Sequence, residues 1–152
     1  MRAEVSLQAV VEAMDLPNSE WESFLDPQSG EIITITDEER RSLEDEEPER
    51  LPEWEREHLP RVREVLESDR FLRLPDSFEI HEWSIMERFC HTIEVPAAQG
   101  ELLDAIHGKR AFRTFRSTVE RLGLRDQWYS FRSAAFEEIA REWLRSHGIP
   151  FE

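Results

Sequence analysis

Apolar residues recur at helical spacing near the amino end. Leu7, Val10, Val11 and Met14 fall at i, i+3, i+4 and i+7, one stripe on a short helix, with Ser6 placed as its N-cap and Pro17 beyond its end. The period then changes. Two β-rich runs, Glu20 to Leu25 and Glu31 to Thr36, flank Asp26-Pro27-Gln28-Ser29-Gly30. This predicts a β-hairpin with a five-residue loop, closed by a positive φ at Gly30. Thr36 and Glu39 have the spacing of a capping box, so a helix starts there. Leu43 is the one large apolar residue between Asp37 and Arg50, which predicts a short helix and then a solvated, mobile acidic stretch around Glu44 to Glu49. Pro48, Pro52 and Pro60 punctuate the segment, and Val62, Val65 and Leu66 give a short helix over Arg61 to Asp69. Phe71 to Leu74 reads as a third strand, ended by Pro75.

From Ile80 onward the period is helical. Ile85, Met86, Phe89 and Ile93 share one face, stopped by Pro96; Leu102, Leu103 and Ile106 mark a short helix ending at Gly108. Phe112, Phe115, Val119 and Leu122 give a third stripe, with Gly123 in the C′ position. The strongest pattern is the last: Trp128, Phe131, Ala135, Phe136, Ile139, Ala140, Trp143 and Leu144 repeat at helical spacing from about Arg125 to His147, ahead of Gly148 and Pro150. Strands gathered early and helices late predict an α+β fold. It has an N-terminal helix and small antiparallel sheet (1–36), an acidic, partly mobile linker with short helices (37–69), and a strand and helical core (70–152). A chain of 152 residues reads as a single domain.

Composition adds a charge layout. The formal net charge is −15, from 19 basic and 34 acidic residues, and 18 of the basic ones are arginine, Lys109 being the exception. Residues 37–69 hold 14 acidic and 6 basic side chains, while residues 109–145 hold 9 basic and 5 acidic. A net −15 disfavours non-specific binding to nucleic acid or an anionic membrane. No apolar run reaches the roughly 18 residues of a membrane span. Nor does the N-terminus show the h-region of a signal peptide, so a cytoplasmic location is expected.

Catalytic and metal chemistry find little purchase. Cys90 is the only cysteine, so a disulfide framework and cysteine-rich zinc sites are excluded. Cys90 and His91 are helix neighbours pointing about 100° apart and read as a small hydrophobe beside a surface residue. Glu87 and His91, at i and i+4, read as a surface pair. The five glycines form no phosphate loop, and no G-x-S-x-G elbow exists. No metal or cofactor is expected. The segment Gly108-Lys109-Arg110-Ala111-Phe112-Arg113-Thr114-Phe115-Arg116 is the best candidate site. With Phe112, Phe115 and Val119 facing the core, Arg110, Arg113 and Arg116 lie about 160°, 100° and 40° from Phe112, a stripe flanking the buried face. Cations in the first turns oppose the helix macrodipole, and with free N–H groups they could hold an anion. The competing expectation is that they pair with the chain's own carboxylates.

These residues, followed by Gly123-Leu124, Trp128-Tyr129-Ser130-Phe131 and Trp143-Leu144, resemble the C-terminal signature of a bacterial and plant family, uncharacterised protein family number one hundred and fifty-eight. The family pattern is close to G-x-G-A-F-R-x-F, then G-L, then W-Y-x-F. Leu25-Asp26 with Gly30-Glu31-Ile32 is similar to its L-D-x-x-T-G-E-[IV], and Ile85-Met86-Glu87-Arg88-Phe89 to its I-M-x-x-F. Arg110 departs from the family's glycine and Ser29 from its threonine. The resemblance implies a fold and no reaction. It groups Arg113 with the aromatic set Phe112, Phe115, Trp128, Tyr129 and Phe131.

Three functional readings follow. In the first, a non-enzymatic interaction module docks a basic partner on its acidic face, Asp37 to Asp69, and uses Lys109, Arg110, Arg113 and Arg116 to bind an acidic group or a second copy. In the second, a nucleic-acid regulator uses the 109–145 arginines, with Trp128 and Tyr129 as stacking surfaces. In the third, an enzyme has a site between the hairpin and the last helix, marked by perturbed titrating groups.

Overall fold

The first helix begins where the sequence places its cap. Ser6 is extended, and its Oγ accepts the Ala9 N–H at 3.2 Å, starting α1 (Leu7–Met14) with Val10 and Met14 buried. The computed structural model describes residues 4–16, 20–44 and 51–152. Strands β1 (Glu22–Leu25) and β2 (Ile32–Ile35) then form an antiparallel hairpin, Glu22 opposite Ile35 and Leu25 opposite Ile32. The short strand β3 (Leu72–Arg73) pairs antiparallel with the other edge of β1, giving the order β2-β1-β3. Gly30 holds φ 79°, and its N–H donates to the Asp26 carbonyl at 2.8 Å.

Asp26 organises that turn. It is 4% exposed; its Oδ1 accepts the Gln28 N–H and its Oδ2 accepts the Ser29 hydroxyl, both at 2.9 Å. The Arg70 guanidinium stands 3.3 Å from Oδ2 and lies over the Phe71 ring. Burial alone would raise the Asp26 pKa; the Gln28 N–H, the Ser29 hydroxyl and the Arg70 charge outweigh it and hold the carboxyl below its ordinary value.

Thr36 and Glu39 close the capping box at the start of α2 (Asp37–Ser42). The expected mobile stretch lies mostly at residues 45–50, outside the described ones. The next helix corrects the sequence reading. α3 (Glu53–Glu67) runs through Pro60 and does not start after it. Proline removes one i→i−4 bond, here to the Arg56 carbonyl, and crowds the preceding turn, at a cost of about 3 kcal/mol. Leu59, Val62 and Val65 are all buried; at about 1.5–3 kcal/mol each they outweigh that cost. Val62 and Val65 close a core with Phe24, Ile35 and Phe71.

The remaining helices are α4 (Ser77–Ile80), α5 (Glu82–Thr92), α6 (Pro96–His107), α7 (Ala111–Arg121) and α8 (Arg125–Ser146). His81, at φ 52°, separates α4 from α5. Pro96, expected to stop a helix, stands at the first position of α6, where its missing N–H costs nothing. Contacts gather in two compact units, Met1–Asp76 with Ala140–Glu152, and Ser77–Ile139. In the first, the carboxyl end returns to residue 5: Val5 and Phe151 form a parallel bridge, with Glu152 N–H donating to the Val5 carbonyl at 3.0 Å. The architecture is the expected α+β arrangement, an N-terminal helix and a small antiparallel sheet followed by a mainly helical half. Among the described residues no helix is long and apolar enough to cross a membrane.

Candidate functional site

The second unit centres on an aromatic cluster. Phe89 of α5 meets Phe115 of α7 and Trp128 of α8 edge-on at 6.2 and 5.3 Å between ring centroids, and Phe131 of α8 in a tilted pair at 5.5 Å; Phe115 and Trp128 meet edge-on at 4.8 Å. Phe115 is fully buried, Val119 and Trp128 nearly so, and Phe131 half-buried. Such edge-to-face pairs stabilise beyond the area they bury. Beside them Cys90 is buried, and desolvation pushes its thiol pKa up to about 11.

α7 and α8 are joined by a Schellman turn. Gly123 holds φ 70°, the Gly123 N–H donates to the Glu120 carbonyl at 3.1 Å and the Leu124 N–H to the Val119 carbonyl at 2.9 Å. This tight joint sets the first turn of α8 beside α7 and opens a cleft of about 450 Å³ between them, walled by Phe112, Arg113, Arg116, Glu120, Arg125 and Tyr129 over a floor that includes Val119 and Trp128. Arg125 also lies over the Tyr129 ring, 5.7 Å from its centroid.

Two expectations about this segment need correction. Phe112 does not face the core: it is 45% exposed and lines the cleft. The buried arc of α7 centres on Phe115, with Thr118 and Val119 on its sides; Phe112 lies about 60° round from Phe115, at the edge of that arc. Nor does Arg110 belong to the stripe. It is the N-cap of α7, at φ 57° and ψ 44°, ahead of the helix. That left-handed conformation suits glycine, so the backbone alone accounts for the glycine of the resembling motif. Lys109 and Arg110 are exposed but do not line the cleft. Arg125, taken in only as one of the 109–145 arginines of the nucleic-acid reading and not as part of the candidate anion site, does; its signal was the i, i+4 spacing to Tyr129 at the start of a helix. Trp128 is 4% exposed and edge-on to its neighbours, so it offers no open stacking face, whereas Tyr129 is 48% exposed.

The ion pairing is selective. Arg121 pairs with Glu101 and Arg132 with Glu82. Among the described residues, Arg113 and Arg116 make no ion pair with the chain's own carboxylates. No three His, Cys, Asp or Glu side chains gather as metal ligands among the described residues.

A second groove, in the first unit, lies between α2 and α3. It measures about 460 Å³ and is lined by Thr36, Glu38, Glu39, Trp54, His58 and Leu59. Trp54 is 71% exposed. His58 Nε2 stands 2.7 Å from Glu39 Oε2, tying the two helices together.

The chain matches the uncharacterised protein family UPF0158 over residues 3–152. A Pseudomonas aeruginosa protein named UPF0158 protein PA5073 is 24% identical over 150 residues, which cover 95% of this chain and 84% of that protein. No solved structure matches. With the helix–sheet order, the Asp26 turn and the α7–α8 joint in place, the chain belongs to UPF0158, a family whose function is uncharacterised.

Proposed function

We propose that this chain is a non-catalytic interaction module that takes an acidic segment of a protein partner in the α7–α8 cleft. One observation carries the reading: in a chain with 34 acidic side chains, Arg113 and Arg116 keep no carboxylate partner among the described residues, and they stand beside exposed Phe112 and Tyr129. A guanidinium surrounded by a polyanion pairs readily with any carboxylate in reach, so Arg113 and Arg116, with Arg125 of the same cleft also outside any ion pair among the described residues, form a local positive patch on a negative molecule. Such a patch steers and orients an acidic partner. Forked donors suit carboxylates, and aromatic faces suit the apolar part of the same segment. Burial of Trp128 removes one of the two stacking surfaces that the nucleic-acid reading requires.

Fluorescence anisotropy with a labelled glutamate-rich peptide carrying one Trp tests the reading, against a lysine-rich control and a single-stranded oligonucleotide. The acidic peptide is expected to bind, the control not to, and Arg113→Glu with Arg116→Glu to lower the affinity at least tenfold. Equal affinity in the double variant overturns the reading. So does a preference for the oligonucleotide with a steep salt dependence, which would favour nucleic acid.

A further inference from the structure

We propose that the occupant of the α7–α8 cleft is Trp54, with the acidic first turns of α3, from a second copy of this chain. This rests on the preceding reading and names its partner. Among the described residues, the exposed large apolar side chains are Trp54, Val95, Phe112 and Tyr129. Phe112 and Tyr129 line the cleft in the second unit; Trp54 stands in the first, on a different element. Trp54 is the most exposed of the four, and an indole so open to water gains by cover.

Charge and shape agree with the pairing. Trp54 is flanked on α3 by Glu53 and Glu57, and faces Glu38 across its own groove. The cleft presents Arg113, Arg116 and Arg125 against a single acid, Glu120. An indole is the best aromatic face for a guanidinium, and arginine stacks on such faces. At about 450 Å³ the cleft lies in the size range of sites that bury a ligand of that bulk. Donor and acceptor surfaces share no residue, so each copy can give its Trp54 and receive another's. The overall charge of −15 opposes association at long range, but at physiological ionic strength a Debye length of about 8 Å leaves the close contact to decide.

Sedimentation velocity at physiological salt, over a concentration series, tests this with Trp54→Ala, Arg113→Glu with Arg116→Glu, and an equimolar mixture of the two variants. All these side chains are exposed, so the variants should keep the wild-type circular dichroism and melting temperature. The wild type should rise above 18.1 kDa with concentration while each variant alone stays there. The mixture should regain association, because the intact cleft of the first variant accepts Trp54 of the second. A wild type that stays at 18.1 kDa, a Trp54→Ala variant that associates like the wild type, or a mixture that fails to associate each overturns the proposal. The acidic peptide separates the two readings. If it binds a wild type that does not self-associate, only self-docking falls. If it does not bind either, both readings fall.

Discussion

Replacing Asp26 by alanine should be among the most damaging single changes in the first unit, although the residue sits in a turn. The carboxylate is 4% exposed and accepts two hydrogen bonds at 2.9 Å, while Arg70 adds a charge at 3.3 Å. Hydrogen bonds to a charged group are worth about 1.5–3 kcal/mol each, and the exposed Gln28 and Ser29 recover part of the loss from water. A net destabilisation of about 2–4 kcal/mol follows. In a chain of this size that lowers the melting temperature by roughly 5–15 °C. Asp26→Asn keeps the shape and one acceptor and should lose about half as much. The pH dependence isolates the charge. The folded-state pKa is depressed, so the contribution is fully present above the unfolded value near 3.9 and disappears as pH falls through the lower folded value. Urea titrations of wild type and Asp26→Asn should therefore show a constant stability gap above about pH 4 that closes in more acidic buffer. An alanine variant within about 0.5 kcal/mol of wild type, or a gap unchanged at pH 2, would refute the role assigned to the carboxylate.

Other consequences are simpler to measure. Arg110→Gly relieves a left-handed residue and should stabilise the chain by about 0.5–1 kcal/mol, the strain removed less the entropy glycine brings to the unfolded state; a loss of stability in urea would contradict that balance. Pro60→Ala restores the amide facing the Arg56 carbonyl and should raise stability by about 1–3 kcal/mol, seen as a higher urea midpoint with unchanged slope. Cys90, with its thiol pKa near 11 and its side chain buried, should resist iodoacetamide at pH 8 and label readily once urea unfolds the chain; fast labelling of the native protein would show that this part of the core opens.

What the sequence made legible were features whose cause is local. Ser6, the Thr36–Glu39 box, Gly30 and Gly123 act within a few residues, so their spacing alone announces the element each begins or ends. Features decided by distant partners were hidden. Pro60 reads as a break until Leu59, Val62 and Val65 are seen packed, because the compensation comes from β-strands far along the chain. The Val5–Phe151 bridge joins the two ends and leaves no periodic trace. Phe112 shows the limit of stripe counting: an aromatic at helical spacing from two core residues still points to solvent when it stands at the edge of the arc in the first turn. The same limit hid Arg125, whose place in the cleft depends on the angle of the Gly123 joint.

The packing also sorts the residues that carry the family resemblance. Asp26, Ser29 and Gly30 build the hairpin turn; Ile85, Met86 and Phe89 lie in the core; Gly123 and Leu124 make the Schellman joint; Phe115 and Trp128 close the aromatic cluster. Each has a structural reason to be what it is. Phe112, Arg113 and Tyr129 do not: they are exposed, and the Arg113 side chain makes no ion pair or hydrogen bond among the described residues. A substitution there should separate folding from binding. Arg113→Lys keeps the charge and removes the planar fork, so stability should stay within about 0.5 kcal/mol of wild type while affinity for the acidic peptide falls. Loss of stability would mean that Arg113 holds the fold together. Unchanged stability and unchanged affinity together would mean that a point charge suffices, and that the cleft does not read the geometry of a carboxylate.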